Sequence, residues 1–336
     1  MPQKAVQADK EGKKDDVINL MNLIRSGFLD FYCLAPSYIM LELFGMMRIL
    51  NCAMSSLGVF IGALIAIGFS GVFALPLLFA LAAVFTITAG GNVLNDYLDY
   101  EADKINRPDR PIPSGKVPRT SALAFSLILF VTGNFLAFMI NGLCFTIAMV
   151  NTALLIIYSV SFQHKVLIGN FTVGYLVGSV FLFGAAVFLT IKSALILTVL
   201  AMLANAAREI VKDLDDMEGD KAGFLKKIIS KTVTPVAERF GITSEGVRMK
   251  YTERGMIIIA IACIMLAILF SILPYYYGMM KTGYLAVVLI ADAVFASCMY
   301  SLSREAKRKK GYRRISKRLK IGMLIAMIAF IVGIVF

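Results

Sequence analysis

The sequence predicts an all-α integral membrane protein with nine transmembrane helices. Of its 336 residues, 59% are apolar and only 17% are charged, whereas a soluble domain carries about 25% charged residues. Runs of about twenty mostly apolar residues can cross a bilayer, and they do so as helices because a lipid-exposed backbone must satisfy its own hydrogen bonds. Nine runs of this kind occur, at about 50–70, 72–95, 120–140, 142–162, 171–190, 193–212, 255–274, 283–302 and 319–336.

A segment without a transmembrane run precedes them. We divide the chain into residues 1–45, a polar N-terminus with an amphipathic stretch, and residues 46–336, the membrane domain. The N-terminus lacks the apolar pattern of a signal peptide. Asp30, Pro36 and Glu42 interrupt the stretch 27–47, so we expect an interfacial or packed helix there rather than a span.

The net charge of +12 is distributed unevenly between the two membrane faces. One face would receive the N-terminus and the loops near 96–119, 163–170, 208–254 and 303–318, with 32 of the 34 Lys and Arg residues. The other face keeps only Lys192 and Lys281. The positive-inside rule predicts a multi-pass cell-membrane protein with its N-terminus in the cytoplasm and its C-terminus outside. Anionic membrane lipids explain the basic residues better than nucleic acid does, because these residues border the spans.

Two acidic segments that each follow a span repeat one pattern. Residues 95–104 and 212–221 match at five positions when they are aligned with an offset of 117 residues: Asp96, Asp99, Glu101, Asp103 and Lys104 align with Asp213, Asp216, Glu218, Asp220 and Lys221. Four spans separate the segments, so both would face the cytoplasm. The simplest interpretation is two related four-helix units, each with half of one site, followed by a ninth helix.

The acids within each segment are spaced so that they share one helical face. We name Asn95, Asp96, Asp99 and Asp103 the first acidic row, and Asp213, Asp216 and Asp220 the second acidic row. Clustered carboxylates at helix C-termini repel one another and oppose the helix dipole unless cations lie between them. Oxygen-only ligands favour Mg²⁺, which completes its coordination with phosphate oxygens. A solvated acidic helix end is the simpler alternative for one row, but two matched rows on one face favour a metal–diphosphate site.

Basic residues near both rows could contact the same diphosphate directly. The candidates are Arg48, Lys104, Arg107, Arg110, Arg208 and Lys212. Residues 107–116 form a proline-restricted loop that could cover a polar site at the membrane surface. Topology alone explains Lys116, Arg119, Lys226 and Lys227 better than a site does. The Gly58–Gly62 and Gly174–Gly178 pairs indicate close helix packing, and the five scattered cysteines are expected to be packing residues.

The pattern Asn95-Asp96-x-x-Asp99-x-x-x-Asp103, followed by Asn106-Arg107-Pro108-x-Arg110-Pro111-Ile112-Pro113-Ser114-Gly115, closely resembles the first signature of the UbiA superfamily of intramembrane prenyltransferases. The second acidic row resembles the second signature. The resemblance implies nine transmembrane helices around a central cavity that opens to the lipid, and Mg²⁺-dependent binding of a prenyl diphosphate. Carried over position by position, the resemblance assigns metal binding to Asn95, Asp99, Asp103, Asp216 and Asp220. It assigns catalytic roles to the four aspartates of that set. It assigns diphosphate contacts to Arg48, Asn95, Asp96 and Asp213.

The segments 208–213 and 218–221 are most similar to the archaeal branch of the superfamily that makes digeranylgeranylglyceryl phosphate. This similarity implies transfer of a geranylgeranyl group from geranylgeranyl diphosphate to geranylgeranylglyceryl phosphate. We expect the enzyme to bind no nucleic acid and to need no obligate protein partner. The family often has a lysine about five residues after a fourth-helix tyrosine. After Tyr158 that position is Gln163, so we shift the expected diphosphate contact to Lys165. An aromatic or chlorin acceptor is the first alternative, and a cation or lipid transporter is the second.

Overall fold

The computed structural model describes residues 37–69, 74–162, 166–219, 253–305 and 311–336. Most of the segment 1–45, the diphosphate candidate Lys165 and the metal candidate Asp220 lie outside this part of the chain. Asp216 lies in a described helix, but its side chain is not described. The division of the chain at residue 45 stays a prediction.

All regular secondary structure in the described residues is helical, with no strand. A π-helical turn at Tyr158–Phe162 follows the helix Gly142–Ile157. In chain order the helices are α1 (Ser37–Met46), α2 (Ile49–Ile67), α3 (Leu75–Leu98), α4 (Tyr100–Asn106), α5 (Arg119–Phe138), α6 (Gly142–Ile157), α7 (Val166–Ala186), α8 (Lys192–Gly219), α9 (Glu253–Phe270), α10 (Leu273–Tyr276), α11 (Thr282–Glu305) and α12 (Tyr312–Val335).

Nine of these helical segments are long and apolar enough to cross a membrane within the described residues. The all-α, nine-span prediction is therefore confirmed. The largest differences are at the C-terminal end of α8, which continues to Gly219, and at the N-terminal end of α12, which already begins at Tyr312. Charged residues end an apolar run in the sequence, but they do not end the backbone hydrogen bonding of a helix.

The chain divides into two compact units. The first contains the residues through Cys52 together with Thr86–Thr132, and the second contains Ala53–Phe85 and Gly133–Phe336. These boundaries do not follow the predicted four-helix repeat, which stays a prediction, as does the central cavity.

In the second unit, α8, α9, α11 and α12 bury one apolar cluster. Ile210, Met256, Phe295 and Ile315 are among its buried members. A second cluster joins α2, α7, α8, α11 and α12 around the buried ring of Tyr284. Burying an apolar side chain of this size contributes about 1.5–3 kcal/mol relative to exposure in water. In a bilayer, lipid tails are equally apolar, so close packing contributes more than burial does.

Glycines allow the close packing in this unit. A Cβ atom on Gly62 would lie 2.1 Å from the carbonyl oxygen of Phe181, and one on Gly178 would lie 2.4 Å from that of Thr198. The helix-packing interpretation of both GxxxG pairs is confirmed. The four described cysteines, Cys52, Cys144, Cys263 and Cys298, are free and buried, as expected for packing residues.

In the first unit, side chains hold the break between α1 and α2. Asn92 Nδ2 donates to the carbonyl oxygen of Met47 at 2.8 Å, and Cys52 Sγ donates to the same oxygen at 3.1 Å. Ser126 Oγ donates to the carbonyl oxygen of Gly90 at 2.9 Å and ties α5 to α3. These bonds fix the backbone on both sides of Arg48.

Candidate functional site

The first acidic row crosses from α3 into α4 in the first unit. Asp99 lies between the two helices, with φ −77° and ψ 4°. The backbone N–H of Asp99 still donates to Asn95 O at 2.9 Å, and that of Asp103 donates to Asp99 O at 2.8 Å. The row is therefore not on one uninterrupted helix, yet its helical spacing is retained.

Two arginines from other chain segments bind this row. Arg48 Nη2 donates to Asp96 Oδ1 at 2.6 Å. Arg110 Nη1 donates to Asp103 Oδ2 at 2.5 Å and to Asp96 Oδ1 at 3.1 Å. Both aspartates are buried, and the two guanidinium groups balance their charge.

Arg48 adopts a backbone conformation that side-chain-bearing residues seldom take. Its φ is +55°, in the left-handed region, which costs about 1–3 kcal/mol and persists only where the surroundings impose it. The helix break fixes this conformation, and the N–H of Asn51 donates to Arg48 O at 2.8 Å. The guanidinium predicted to contact a diphosphate is thus held in place by the backbone as well as by Asp96.

The remaining two members of the row form a separate pair. Asn95 Nδ2 donates to Asp99 Oδ2 at 2.8 Å. Amide and carboxylate oxygens are ligands that Mg²⁺ accepts, so this pair fits the predicted metal. Among the described residues no group of three or more His, Cys, Asp or Glu side chains could hold a metal ion alone.

Three basic residues near the first row differ in their surroundings. Lys104 lies with Nζ 5.2 Å from the ring centroid of Tyr100. Arg107 is exposed. Arg119, which sequence reasoning attributed to topology, lies with Cζ 4.6 Å from the ring centroid of Tyr97 and 5.1 Å from that of Tyr100. The separation of Arg119 from these tyrosines in the sequence does not predict this contact.

The second acidic row begins inside the long helix α8, in the second unit. Asn170 Nδ2, on α7, donates to Asp213 Oδ2 at 2.8 Å. Sequence reasoning did not find Asn170, because a lone asparagine 43 residues away has no spacing pattern that links it to the row. The amide orients the carboxylate without neutralising it.

Arg208 and Lys212 pair within their own helix. Glu209 Oε1 accepts a hydrogen bond from Arg208 Nη1, and Glu209 Oε2 accepts one from Lys212 Nζ at 3.3 Å. Glu209 is therefore the counter-ion that Arg208 requires near a membrane span. Lys212 stays more than half exposed.

Comparison with known proteins agrees with these motifs. Residues 56–328 match the UbiA prenyltransferase family. The digeranylgeranylglyceryl phosphate synthases of Methanococcoides burtonii and Methanopyrus kandleri are each 42% identical to this chain, over 86% and 85% of it and over 98% and 97% of their own lengths.

Solved structures share the fold. A structure of digeranylgeranylglyceryl phosphate synthase superposes with a TM-score of 0.73 at 36% identity, over 88% of this chain and 98% of that chain. A UbiA homolog from Archaeoglobus fulgidus bound to GPP and Mg²⁺ has a TM-score of 0.60 at 13% identity, over 88% of this chain and 100% of its own, which shows a common fold alone. With both signature regions inside the matched range, the chain belongs to the UbiA prenyltransferase family and is a membrane-embedded prenyltransferase.

Proposed function

We propose that this enzyme transfers a geranylgeranyl group from geranylgeranyl diphosphate to the free hydroxyl of geranylgeranylglyceryl phosphate, forming a diether lipid precursor. The main support is the identity of 42% with proteins named digeranylgeranylglyceryl phosphate synthase, over nearly their whole length. The arginine-bound first row supports the diphosphate half of this proposal. The relatives' names favour a lipid phosphate acceptor over an aromatic or chlorin acceptor.

In this proposal the two acidic rows and their basic neighbours recognise the Mg²⁺ complex of the diphosphate. Asn95, Asp99 and the second row, Asp213, Asp216 and Asp220, supply oxygen ligands. When bound, Mg²⁺ neutralises charge on the departing diphosphate. Asp103, predicted as a metal ligand, keeps that role only if a substrate displaces Arg110 from it.

The reaction breaks the bond between the allylic carbon and the diphosphate oxygen. Arg48 and Arg110 are held beside the first acidic row before substrate arrives, and their guanidinium groups stabilise the charge that develops on the leaving diphosphate. Arg107, Arg208 and Lys212 add positive charge. The acceptor hydroxyl oxygen then forms the new ether bond to the allylic carbon and loses its proton, while the apolar spans exclude water from the allylic cation.

The test uses detergent-purified protein with Mg²⁺, radiolabelled geranylgeranyl diphosphate and geranylgeranylglyceryl phosphate. We expect labelled diether product, which is lost on chelation and in Asp99→Ala and Asp216→Ala. Diphosphate binding without product would contradict the acceptor and turn the search to aromatic and chlorin acceptors. If no prenyl diphosphate binds at all, the proposal fails at its first step.

We also propose that the site faces the cytoplasm and the C-terminus lies outside, from the 32 basic residues on one predicted face. Lys116→Cys and Tyr277→Cys test this in intact cells, in a Cys33→Ser background, because both side chains are exposed and the four described cysteines are buried. A membrane-impermeant thiol reagent should label only the Tyr277→Cys protein. Labelling of only the Lys116→Cys protein would reverse the orientation.

A further inference from the structure

Arg119 is held by aromatic rings rather than by a carboxylate. Its guanidinium carbon lies 4.6 Å from the ring centroid of Tyr97 and 5.1 Å from that of Tyr100. Arg48, Arg110 and Arg208, by contrast, each pair with an acid. Within the described part of the chain, no carboxylate forms an ion pair with Arg119. None of the described carboxylates therefore neutralises its positive charge by an ion pair.

The guanidinium of Arg119 also has one buried donor that no described residue binds. Its Nε atom is buried and has no hydrogen-bond partner among the described residues, and buried donors without a partner are uncommon. Stacking on aromatic rings leaves the edge of a guanidinium, where its donors point, available to an anion. Phosphate oxygens are matched to that edge and can bind it in a bidentate manner.

A second cation lies over one of the same two rings. Lys104 Nζ lies 5.2 Å from the centroid of Tyr100, and Lys104 is exposed. Arg119, Lys104, Tyr97 and Tyr100 form what we name the basic–aromatic cluster. It combines two positive charges with a rigid aromatic support in the first unit.

The cluster is next to the first acidic row on the same helical path. Tyr97, Tyr100 and Lys104 each directly follow an aspartate of the row, so they lie about 100° around the helix from it. The acidic face and the basic–aromatic face are therefore neighbours. One face suits an Mg²⁺-bound diphosphate, and the other suits a second anionic group without a metal.

We propose that the basic–aromatic cluster binds the phosphate monoester of the lipid acceptor, with Arg119 as its principal contact. This inference rests on the proposed function and assigns Lys104, a candidate for the diphosphate, to the acceptor phosphate. It explains how the enzyme would discriminate a phosphate-bearing glycerol lipid from an aromatic ring. It also places the acceptor headgroup beside the first acidic row, where the diphosphate is expected to leave.

The experiment measures KM for two acceptors that differ only in the phosphate: geranylgeranylglyceryl phosphate and geranylgeranylglycerol. Assays are run in neutral detergent, with and without added phosphatidylglycerol. Arg119→Ala should raise KM for the phosphorylated acceptor about 10- to 100-fold, as expected for the loss of a charged hydrogen bond. Kinetics with the unphosphorylated acceptor, and KM for geranylgeranyl diphosphate, should change less than about 3-fold, within the variation of weak contacts.

Arg304→Ala is the matched control, since Arg304 also stacks on a tyrosine, with Cζ 4.8 Å from the centroid of Tyr300, and is exposed. Arg304→Ala should leave KM unchanged for both acceptors. Arg119→Lys keeps the positive charge but loses the planar guanidinium with its paired N–H donors. Its KM for the phosphorylated acceptor should therefore fall between those of the native enzyme and Arg119→Ala. Lys104→Gln should raise KM for the phosphorylated acceptor by a smaller factor than Arg119→Ala does.

Three results would overturn the inference while leaving the proposed function intact. The first is an equal loss with both acceptors, and the second is a raised KM for geranylgeranyl diphosphate. The third is an effect of Arg119→Ala that appears only when phosphatidylglycerol is present, which would assign the cluster to bulk lipid. If the native enzyme forms no diether at all, the proposed function fails instead.

Discussion

The segments that contain the two acidic rows, 95–104 and 212–221, are identical at five of ten positions. Their described acids nevertheless have different hydrogen-bond partners. In the first row, Asp96 and Asp103 accept hydrogen bonds from Arg48 and Arg110, which come from two other segments of the first unit. In the second row, Asp213 accepts one from an amide, Asn170. On the same helix, Arg208 and Lys212 pair with Glu209.

This difference separates two uses of positive charge. The arginines at the first row cross-link chain segments and balance the charge of buried carboxylates, so they contribute to structure. Arg208 and Lys212 pair with Glu209 of their own helix, so these two pairs do not cross-link chain segments. A repeated sequence pattern therefore predicts matching acids, but not matching partners.

The largest expected effect is the loss of Arg110. Arg110→Gln leaves Asp103 and Asp96 without one of their counter-ions, and removing one partner of a buried ion pair costs about 3–5 kcal/mol. Because the Arg110 side chain is 22% exposed, we expect about 2–3 kcal/mol in the free energy of unfolding in detergent. We also expect kcat/KM to fall at least about 100-fold.

The matched variant at the second row is Lys212→Gln. The Lys212 side chain is 55% exposed, and an exposed ion pair contributes at most about 1 kcal/mol. Its unfolding free energy should change by less than about 0.5 kcal/mol. Equal destabilisation by the two variants would contradict the distinction between the rows.

A smaller effect concerns the coupling within each ion pair. A double-mutant cycle of Arg110→Gln with Asp103→Asn should give a coupling energy of about 1–3 kcal/mol, as found for contacting, partly buried groups. The cycle of Lys212→Gln with Glu209→Gln should give about 0.3 kcal/mol, in the range of helical surface pairs. Thermal and denaturant unfolding of each variant would measure both energies. A stronger coupling on α8 would reverse the comparison.

A further expected effect concerns the amide at the second row. Asn170→Leu removes a hydrogen bond to a charged group, so we expect about 1.5 kcal/mol of destabilisation. Asn151→Leu is the control, because Asn151 Nδ2 donates to a neutral hydroxyl, Ser179 Oγ, at 3.0 Å, and should cost about 1 kcal/mol or less. Identical losses would mean that the charge of Asp213 adds nothing to the bond.

Most of the fold could be predicted from the sequence, because apolar runs of about twenty residues determine the spans. All nine predicted spans correspond to helices in the described residues. The ends were harder to predict. The helix α12 begins with charged residues such as Arg313 and Arg314. Their low hydropathy predicts a loop, although they belong to the helix.

The candidate acids could be predicted from the sequence, but the side chains that bind them could not. Spacing along the chain predicted both rows, and nearness to the rows made Arg48 and Arg110 candidates. The family resemblance assigned a diphosphate contact to Arg48. The left-handed backbone of Arg48 and the bond from Asn170 depend on tertiary packing, which leaves no local signal. Arg119 was attributed to topology because a lone arginine at the start of a span is expected there.

The most direct test of the central claim is a competition assay. The enzyme receives limiting radiolabelled geranylgeranyl diphosphate, Mg²⁺ and equal concentrations of geranylgeranylglyceryl phosphate and a phenolic acid acceptor, and the partition of label between the two products is measured. The account predicts that the label enters the diether almost entirely. Label mainly in the prenylated phenol would contradict it and would make this chain an aromatic prenyltransferase of the same family.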